Sequence, residues 1–325
     1  MTPRPASSSS AAPILTFFAL AFAWSWACWL LAPGLKTYSP AAAIALTLAA
    51  GIGPSLAAVL VVSYCHGRDG LRRWLLRCLQ WRVGWPVVLL AFMLPPLFIG
   101  LAAAAHLALG GVLPPSPLSS QIWMAAASVL VMFFVGGPFG EEFGWRGYAL
   151  PALQQRYGWR VASLLLGVVW AAWHLPLFYI ANAVQSHLPM GLYALSVVAS
   201  SVLFAWLFNR SQGSLLPVLI LHTSVNAWSM IISVMALLDG SNQRPFQIVV
   251  VVQVLVAIAL LWRGRQLMSN VLRVNGEVEV SPLSRTDYCS VKGVKDESKT
   301  RGVYAPISPA DGRVGRHWTQ AQRAC

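Results

Sequence analysis

The sequence predicts an all-α, polytopic membrane protein, and three observations carry that prediction. The 325 residues are 57% hydrophobic, with a mean hydropathy of +0.62. Only 10% are charged, against about 25% in an ordinary soluble domain. The apolar residues also fall in continuous runs rich in Leu, Ala and Val, without the alternation of an outer-membrane barrel strand. A soluble globule and a disordered chain are excluded. So is a disulfide scaffold, because five cysteines are few, odd in number and scattered.

Crossing a hydrocarbon core about 30 Å thick takes roughly 20 apolar residues. Eight runs approach that length: about 14–33, 41–64, 86–109, 121–141, 160–181, 190–208, 214–237 and 246–262. The first carries Trp24, Trp26 and Trp29, exceeds the apolar core of a signal peptide and shows no clear cleavage site, so it reads as a span. Segment 65–84 carries Arg68, Arg72, Arg73, Arg77 and Arg82 against Asp69 alone, whereas loops 110–120 and 182–189 hold no Lys or Arg. By the positive-inside rule the Arg-rich loop is cytoplasmic, and with eight spans both termini are too. Arg156, Arg160, Arg210, Arg263 and Arg265 fall on that same side.

The net charge of +13 therefore reads as topology, with the lipid bilayer and no nucleic acid as partner and the cell membrane as location. From about 264 the composition changes: residues 264–325 hold ten Lys/Arg and six Asp/Glu and read as a polar, disordered cytosolic tail behind a membrane domain of 1–263.

Between Gly70 and Leu238 the only acidic residues are the neighbours Glu141 and Glu142. A carboxylate within a bilayer costs roughly 2.5–3.5 kcal/mol on insertion scales, so such groups are usually paired or functional. They sit in Gly136-Gly137-Pro138-Phe139-Gly140-Glu141-Glu142-Phe143-Gly144-Trp145-Arg146, where Gly and Pro allow a kink or a close helix approach. On a helix Glu142 and Arg146 share a face in the favourable acid-first order. Glu141 lies about 100° round from that face and is free for another task. The bland alternative is that both Glu snorkel to the interface and Arg146 is a topology charge.

Two further runs carry polar residues. His174 lies in Trp170-Ala171-Ala172-Trp173-His174-Leu175-Pro176, one turn after Trp170, and His222 and Asn226 are four apart in the seventh run. Taken singly, each is more simply a hydrogen-bonded packing residue. Together with the acids they converge only if the fourth, fifth and seventh helices surround a polar cavity. In such a cavity a Glu and a His sharing a water act as a general base, while a second His and an Asn donate to a developing oxyanion. The alternative from the same residues is zinc held by Glu141, His174 and His222. His66 and His317 in cytosolic segments, His187 in an external loop and His106 near the end of the third run suggest no role.

Glu141-Glu142-x-x-x-Arg146, an aromatic four residues before His174, and His222-x-x-x-Asn226 occur in this order. The chain thereby resembles the CPBP family, which includes the type II CAAX prenyl endopeptidases and abortive-infection-like bacterial membrane proteins. The likeness covers roughly 120–230. It implies an intramembrane endopeptidase, a hydrolase of about eight helices around a polar cavity opening to the cytosol. It further implies Glu141 and His174 as the groups that activate water, His222 and Asn226 as the oxyanion site, and Glu142 and Arg146, with Trp170, as its support.

The family is often called metalloprotease-like. No His-Glu-x-x-His motif occurs here, so no metal is expected to be required, with zinc the alternative. Trp170 stands where the family usually has Phe and is expected to narrow the cavity. The expected substrate is a membrane-bound or lipid-modified peptide or protein; no signal fixes an oligomeric state. Two other functions compete: a non-enzymatic scaffold or self-immunity protein, and a proton-coupled transporter with a Glu/His relay. The transporter lacks the paired interrupted helices of two repeated halves.

Overall fold

The computed structural model describes residues 12–113, 137–181, 183–232 and 242–274, with six positions between 123 and 134 and side chains as far as Arg263. Among them every regular element is helical: α1 (Ala12–Leu35), α2 (Pro40–Gly51), α3 (Gly53–Cys78), α4 (Trp85–Ala108), α5 (Pro138–Gly144), a π-helical turn Trp145–Ala149, α6 (Leu150–Trp173), two 3-10 turns (Leu175–Tyr179 and Val184–His187), α7 (Met190–Arg210), α8 (Leu216–Ile231) and α9 (Arg244–Val274).

Five stretches are long and apolar enough to span a membrane: Ala12–Leu35, Trp85–Ala108, Pro138–Tyr179, Met190–Arg210 and Arg244–Arg263. The bent pair α2–α3 adds a sixth if it counts as one span. The expectation of eight spans thus stands at five or six among the described residues. Run 121–141 lies largely outside them, and run 214–237 forms a helix of only 16 residues before its end, 233–237, also leaves them. The tail boundary at 264 falls inside α9, and residues beyond Val274 lie outside the described part.

Two segments differ from the sequence reading, each for a local reason. Run 41–64 is bent by 55° between α2 and α3. Pro54 has no N–H to give the Ala50 carbonyl four residues back; that carbonyl accepts instead from Ser25 Oγ of α1 at 2.7 Å. The Arg-rich segment 65–84, read as a loop, is helical as far as Cys78 after a break at Gly67, where φ is 64°. Beyond the break Trp74 and Cys78 are buried and Arg68, Arg72 and Arg73 exposed, so this half of α3 is amphipathic.

Small residues set the close contacts. Gly140 and Gly144, one turn apart on α5, press on the backbone at the α2–α3 bend: a Cβ on Gly140 would strike the Gly51 carbonyl, and one on Gly144 the Pro54 carbonyl. Gly167 of α6 does the same against Val198 of α7, where Ser201 Oγ donates to the Ser163 carbonyl at 2.9 Å. Ser224 of α8 reaches the Phe92 carbonyl of α4 at 2.7 Å. Around these contacts an aromatic core forms: Trp29 and Trp145 both pack on Trp173, with centroids 4.6 and 5.8 Å away. The helices are therefore held by shape and by backbone-directed hydrogen bonds, as expected where lipid supplies no hydrophobic drive between helices.

Gly144→Ala should cost about 1–3 kcal/mol through overpacking against Pro54 and lower the thermal midpoint of the detergent-solubilised protein. Gly100→Ala, with nothing within 4 Å of its new methyl, should leave that midpoint unchanged or raise it. Equal midpoints for Gly144→Ala and the native chain would contradict the close packing.

Candidate active site

The site is built where α5 passes into a π turn. Gly137 enters with φ 109°, a left-handed conformation. Pro138 starts the helix, where its missing N–H costs nothing. The next proline acts in the opposite way. Pro151 lies four residues beyond Gly147, so in a plain α-helix the Gly147 carbonyl would meet a ring without a donor. The chain bulges instead: residues 145–149 are π-helical, with the Leu150 N–H donating to the Trp145 carbonyl. The Gly147 carbonyl accepts from Trp74 Nε1 and Arg77 Nη2 of α3, both at 3.0 Å. π-Bulges recur at functional sites because they re-aim side chains inside a helix.

Glu142 and Arg146 sit on the two sides of this junction, both fully buried, with Arg146 Nη1 donating to the two carboxylate oxygens at 2.9 and 3.0 Å. The Arg146 guanidinium also lies over the Trp170 and Phe204 rings, 4.2 and 4.6 Å from their centroids. Aromatic faces attract a desolvated cation, which offsets the lack of an acceptor for the Nε and Nη2 protons among the described residues. The carboxylate has a third partner, since His222 Nδ1 approaches Glu142 Oε1 at 2.7 Å. Beside a guanidinium Glu142 is an acceptor, so His222 carries a proton on Nδ1 and presents Nε2 elsewhere.

Glu141 faces away from that pair. Trp170 Nε1 donates to its Oε2 at 2.7 Å. The Trp170 carbonyl accepts from His174 Nδ1 at 2.8 Å; a carbonyl only accepts, so the proton of neutral His174 is on Nδ1 and Nε2 holds a lone pair. A cavity of about 300 Å³ is lined by Gly137, Glu141, Trp170, His174, His222 and Asn226. The four residues expected to share a cavity wall do share one, with Glu142 and Arg146 buried behind it.

Three features differ from the sequence reading. His222, grouped there with Asn226, is also held by Glu142. Trp170 is a partner of Glu141 rather than only a wall, through an N–H that Phe does not have. Gly137 escaped notice as a site residue, yet a Cβ there would lie 2.5 Å from Glu141 Oε1 and 4.0 Å from His222 Nε2, in the space between them. The signal was present in the paired glycines before Pro138, which a kink alone does not require.

His106 and His187 do not line this cavity; His106 is buried with Nε2 3.3 Å from the Val112 carbonyl, and His187 ends a 3-10 turn. Glu141, His174 and His222 do not form a metal-binding group, nor do any three His, Cys, Asp or Glu among the described residues. One atom of each of the three is bonded to a protein partner.

Glu142→Ala should destabilise the protein by roughly 3–5 kcal/mol, because it leaves the Arg146 charge buried without its counter-ion. Membrane level and thermal midpoint should both fall. Glu141→Gln keeps an oxygen for the Trp170 N–H and should melt close to the native chain. A stable Glu142→Ala protein would remove Glu142 from its supporting role.

Residues 121–228 match the family model described as Type II CAAX prenyl endopeptidase Rce1-like. Over 149 residues the chain is 32% identical to CAAX prenyl protease 2 of Methanococcus maripaludis, an overlap covering 43% of this chain and 54% of that protein. The chain thus spans about half the length of the curated relative it matches. The likeness first read from three short motifs thus spans residues 121–228, which include Gly137, Glu141, Trp170, His174, His222 and Asn226 of the cavity wall.

Proposed function

We propose that this chain, whose 121–228 segment is of the Rce1-like CAAX prenyl endopeptidase kind, is an intramembrane endopeptidase that hydrolyses a peptide bond in a membrane-associated substrate. One observation carries the reading. The membrane body holds two adjacent carboxylates with opposite surroundings, Glu142 locked to Arg146 and His222, and Glu141 at the wall of a cavity with one oxygen fixed.

The chemistry follows from those partners. With Oε2 held by Trp170, Glu141 offers Oε1 to a water in the space beside Gly137. Glu141, assisted by the Nε2 lone pair of His174, takes a proton from that water as its oxygen bonds to the peptide carbonyl carbon. Asn226 donates to the carbonyl oxygen as it becomes negative. His222, which the family likeness puts with Asn226 at that site, shares the cavity wall, its Nδ1 turned to Glu142. The C–N bond then breaks, and the proton taken from water passes to the leaving nitrogen. Every step uses the chain's own residues, and no metal is required.

The name of the archaeal relative makes a prenylated C-terminal CAAX peptide the first substrate to try, with other lipid-modified or membrane-bound peptides next. In this reading the cavity opens to the cytosol, as the family likeness implies, and with eight spans the loop charges put both termini there too.

The deciding variant is Glu141→Gln in proteoliposomes with a fluorogenic farnesylated CAAX peptide. Losing a general base should lower cleavage about 10²–10⁴-fold at an unchanged amount of protein. Cleavage at the native rate would overturn the role given to Glu141, whereas a native protein that cleaves no membrane-bound peptide would leave the scaffold reading. Activity should also survive exhaustive chelation; a loss restored by zinc would move the mechanism to a metal-bound water.

A further inference from the structure

The cavity has a second polar end that the proposed chemistry does not use. α9 is apolar from Ile248 to Trp262 except for Gln253, and Gln253 lines the cavity. Its Oε1 accepts from Ser196 Oγ of α7 at 2.6 Å, and its Nε2 lies 3.5 Å from Ser200 Oγ. Both serines also line the cavity, one turn apart on a single face of α7. Tyr193, a turn before Ser196, meets the His174 ring edge-on at 5.4 Å and joins this row to the Glu141–His174 end.

We infer that Gln253, Ser196 and Ser200 form a binding site for the main chain of an extended peptide, beside the reacting groups. The inference rests on the endopeptidase reading above and names the part of the cavity that holds the substrate. Its physical basis is the need of a peptide in a water-poor site. Every buried N–H and C=O without a partner costs several kcal/mol in such surroundings. Hydroxyls and a carboxamide both donate and accept, so they satisfy either group without selecting a side chain, and they bring no charge near Glu141.

A bridge between α7 and α9 alone would need less. In its two bonds the Gln253 carboxamide uses one lone pair of Oε1 and one proton of Nε2, leaving one of each. The spacing also fits. Residues four apart on a helix are separated by about 6 Å along its axis, and an extended peptide repeats its edge groups every two residues, about 6.6 Å. Ser196 and Ser200 therefore match successive groups on one edge of an extended chain. Gln253 lies outside residues 121–228, so the matched segment does not assign it.

Gln253→Met keeps the side-chain length and removes both hydrogen-bonding ends. With the farnesylated CAAX peptide as probe, KM should rise about five- to twenty-fold while kcat stays within about twofold. Kd for the same peptide on the Glu141→Gln protein in nanodiscs should rise in parallel, at an unchanged thermal midpoint. A peptide with one amide replaced by an ester, which removes an N–H, should bind the native cavity more weakly yet lose nothing further on Gln253→Met.

Equal KM and Kd in variant and native protein, or additive ester and Gln253→Met losses, would overturn the inference. If Gln253→Met lowers the thermal midpoint, the Ser196→Ala/Ser200→Ala protein decides by the same KM and Kd criteria. A native protein that binds the peptide without cleaving it would sink the endopeptidase reading but not this site. One that neither binds nor cleaves it would sink both.

Discussion

One buried carboxylate, that of Glu142, holds the centre of this protein together. Arg146 is fully buried, and an isolated guanidinium would not remain charged and buried without compensation. Glu142 neutralises it, and the same carboxylate fixes the ring of His222 from a helix eighty residues away. The Trp170 and Phe204 rings close over the guanidinium, and Trp170 in turn fixes Glu141. The chain of contacts thus runs from a structural ion pair to the group proposed to do chemistry, with an indole between them. Glu141 itself bears no salt bridge among the described residues. The division between a carboxylate that anchors and one that reacts is produced by their different partners, not by their sequence context, which is nearly the same.

The backbone breaks that aim these side chains share one cause. Pro54 and Pro151 each deprive a carbonyl four residues back of its donor, and in each case a side chain from another helix takes the vacant acceptor: Ser25 for Ala50, Trp74 and Arg77 for Gly147. A proline in a membrane helix is tolerated when a neighbour re-satisfies the backbone in this way. Here the repairs tie α1 to the α2–α3 bend and α3 to the π turn. Arg77, which in the sequence weighs only as a positive charge for topology, is thereby part of the wall behind the site.

Much of this was legible in the sequence, and the remainder was hidden for identifiable reasons. The apolar runs placed most helices, and the pairing of Glu142 with Arg146 followed from their spacing. The isolation of two acids in a long apolar region pointed to the site. The bend at Ile52 and the helical course of the Arg-rich segment were missed because run length says nothing of local direction, and because arginines on one helix face look like a loop when counted rather than placed. The bonds of Glu142 to His222 and of Trp170 to Glu141 join residues 80 and 29 positions apart, and no periodicity reports on such distances. Gly137 was hidden for a further reason: it contributes by lacking atoms.

That last residue sets a limit on how the protein can vary. Position 137 is restricted twice over, by a φ of 109° that side chains disfavour and by a gap that any Cβ would enter. The two constraints are independent, so a second mutation that relieves one leaves the other in force. A lost carboxylate can in principle be replaced from a neighbouring position; lost space between two fixed groups cannot be supplied by any other residue. The least substitutable residue of the cavity is therefore one with no functional group at all, and descent with a changed reaction would have to begin elsewhere in the wall.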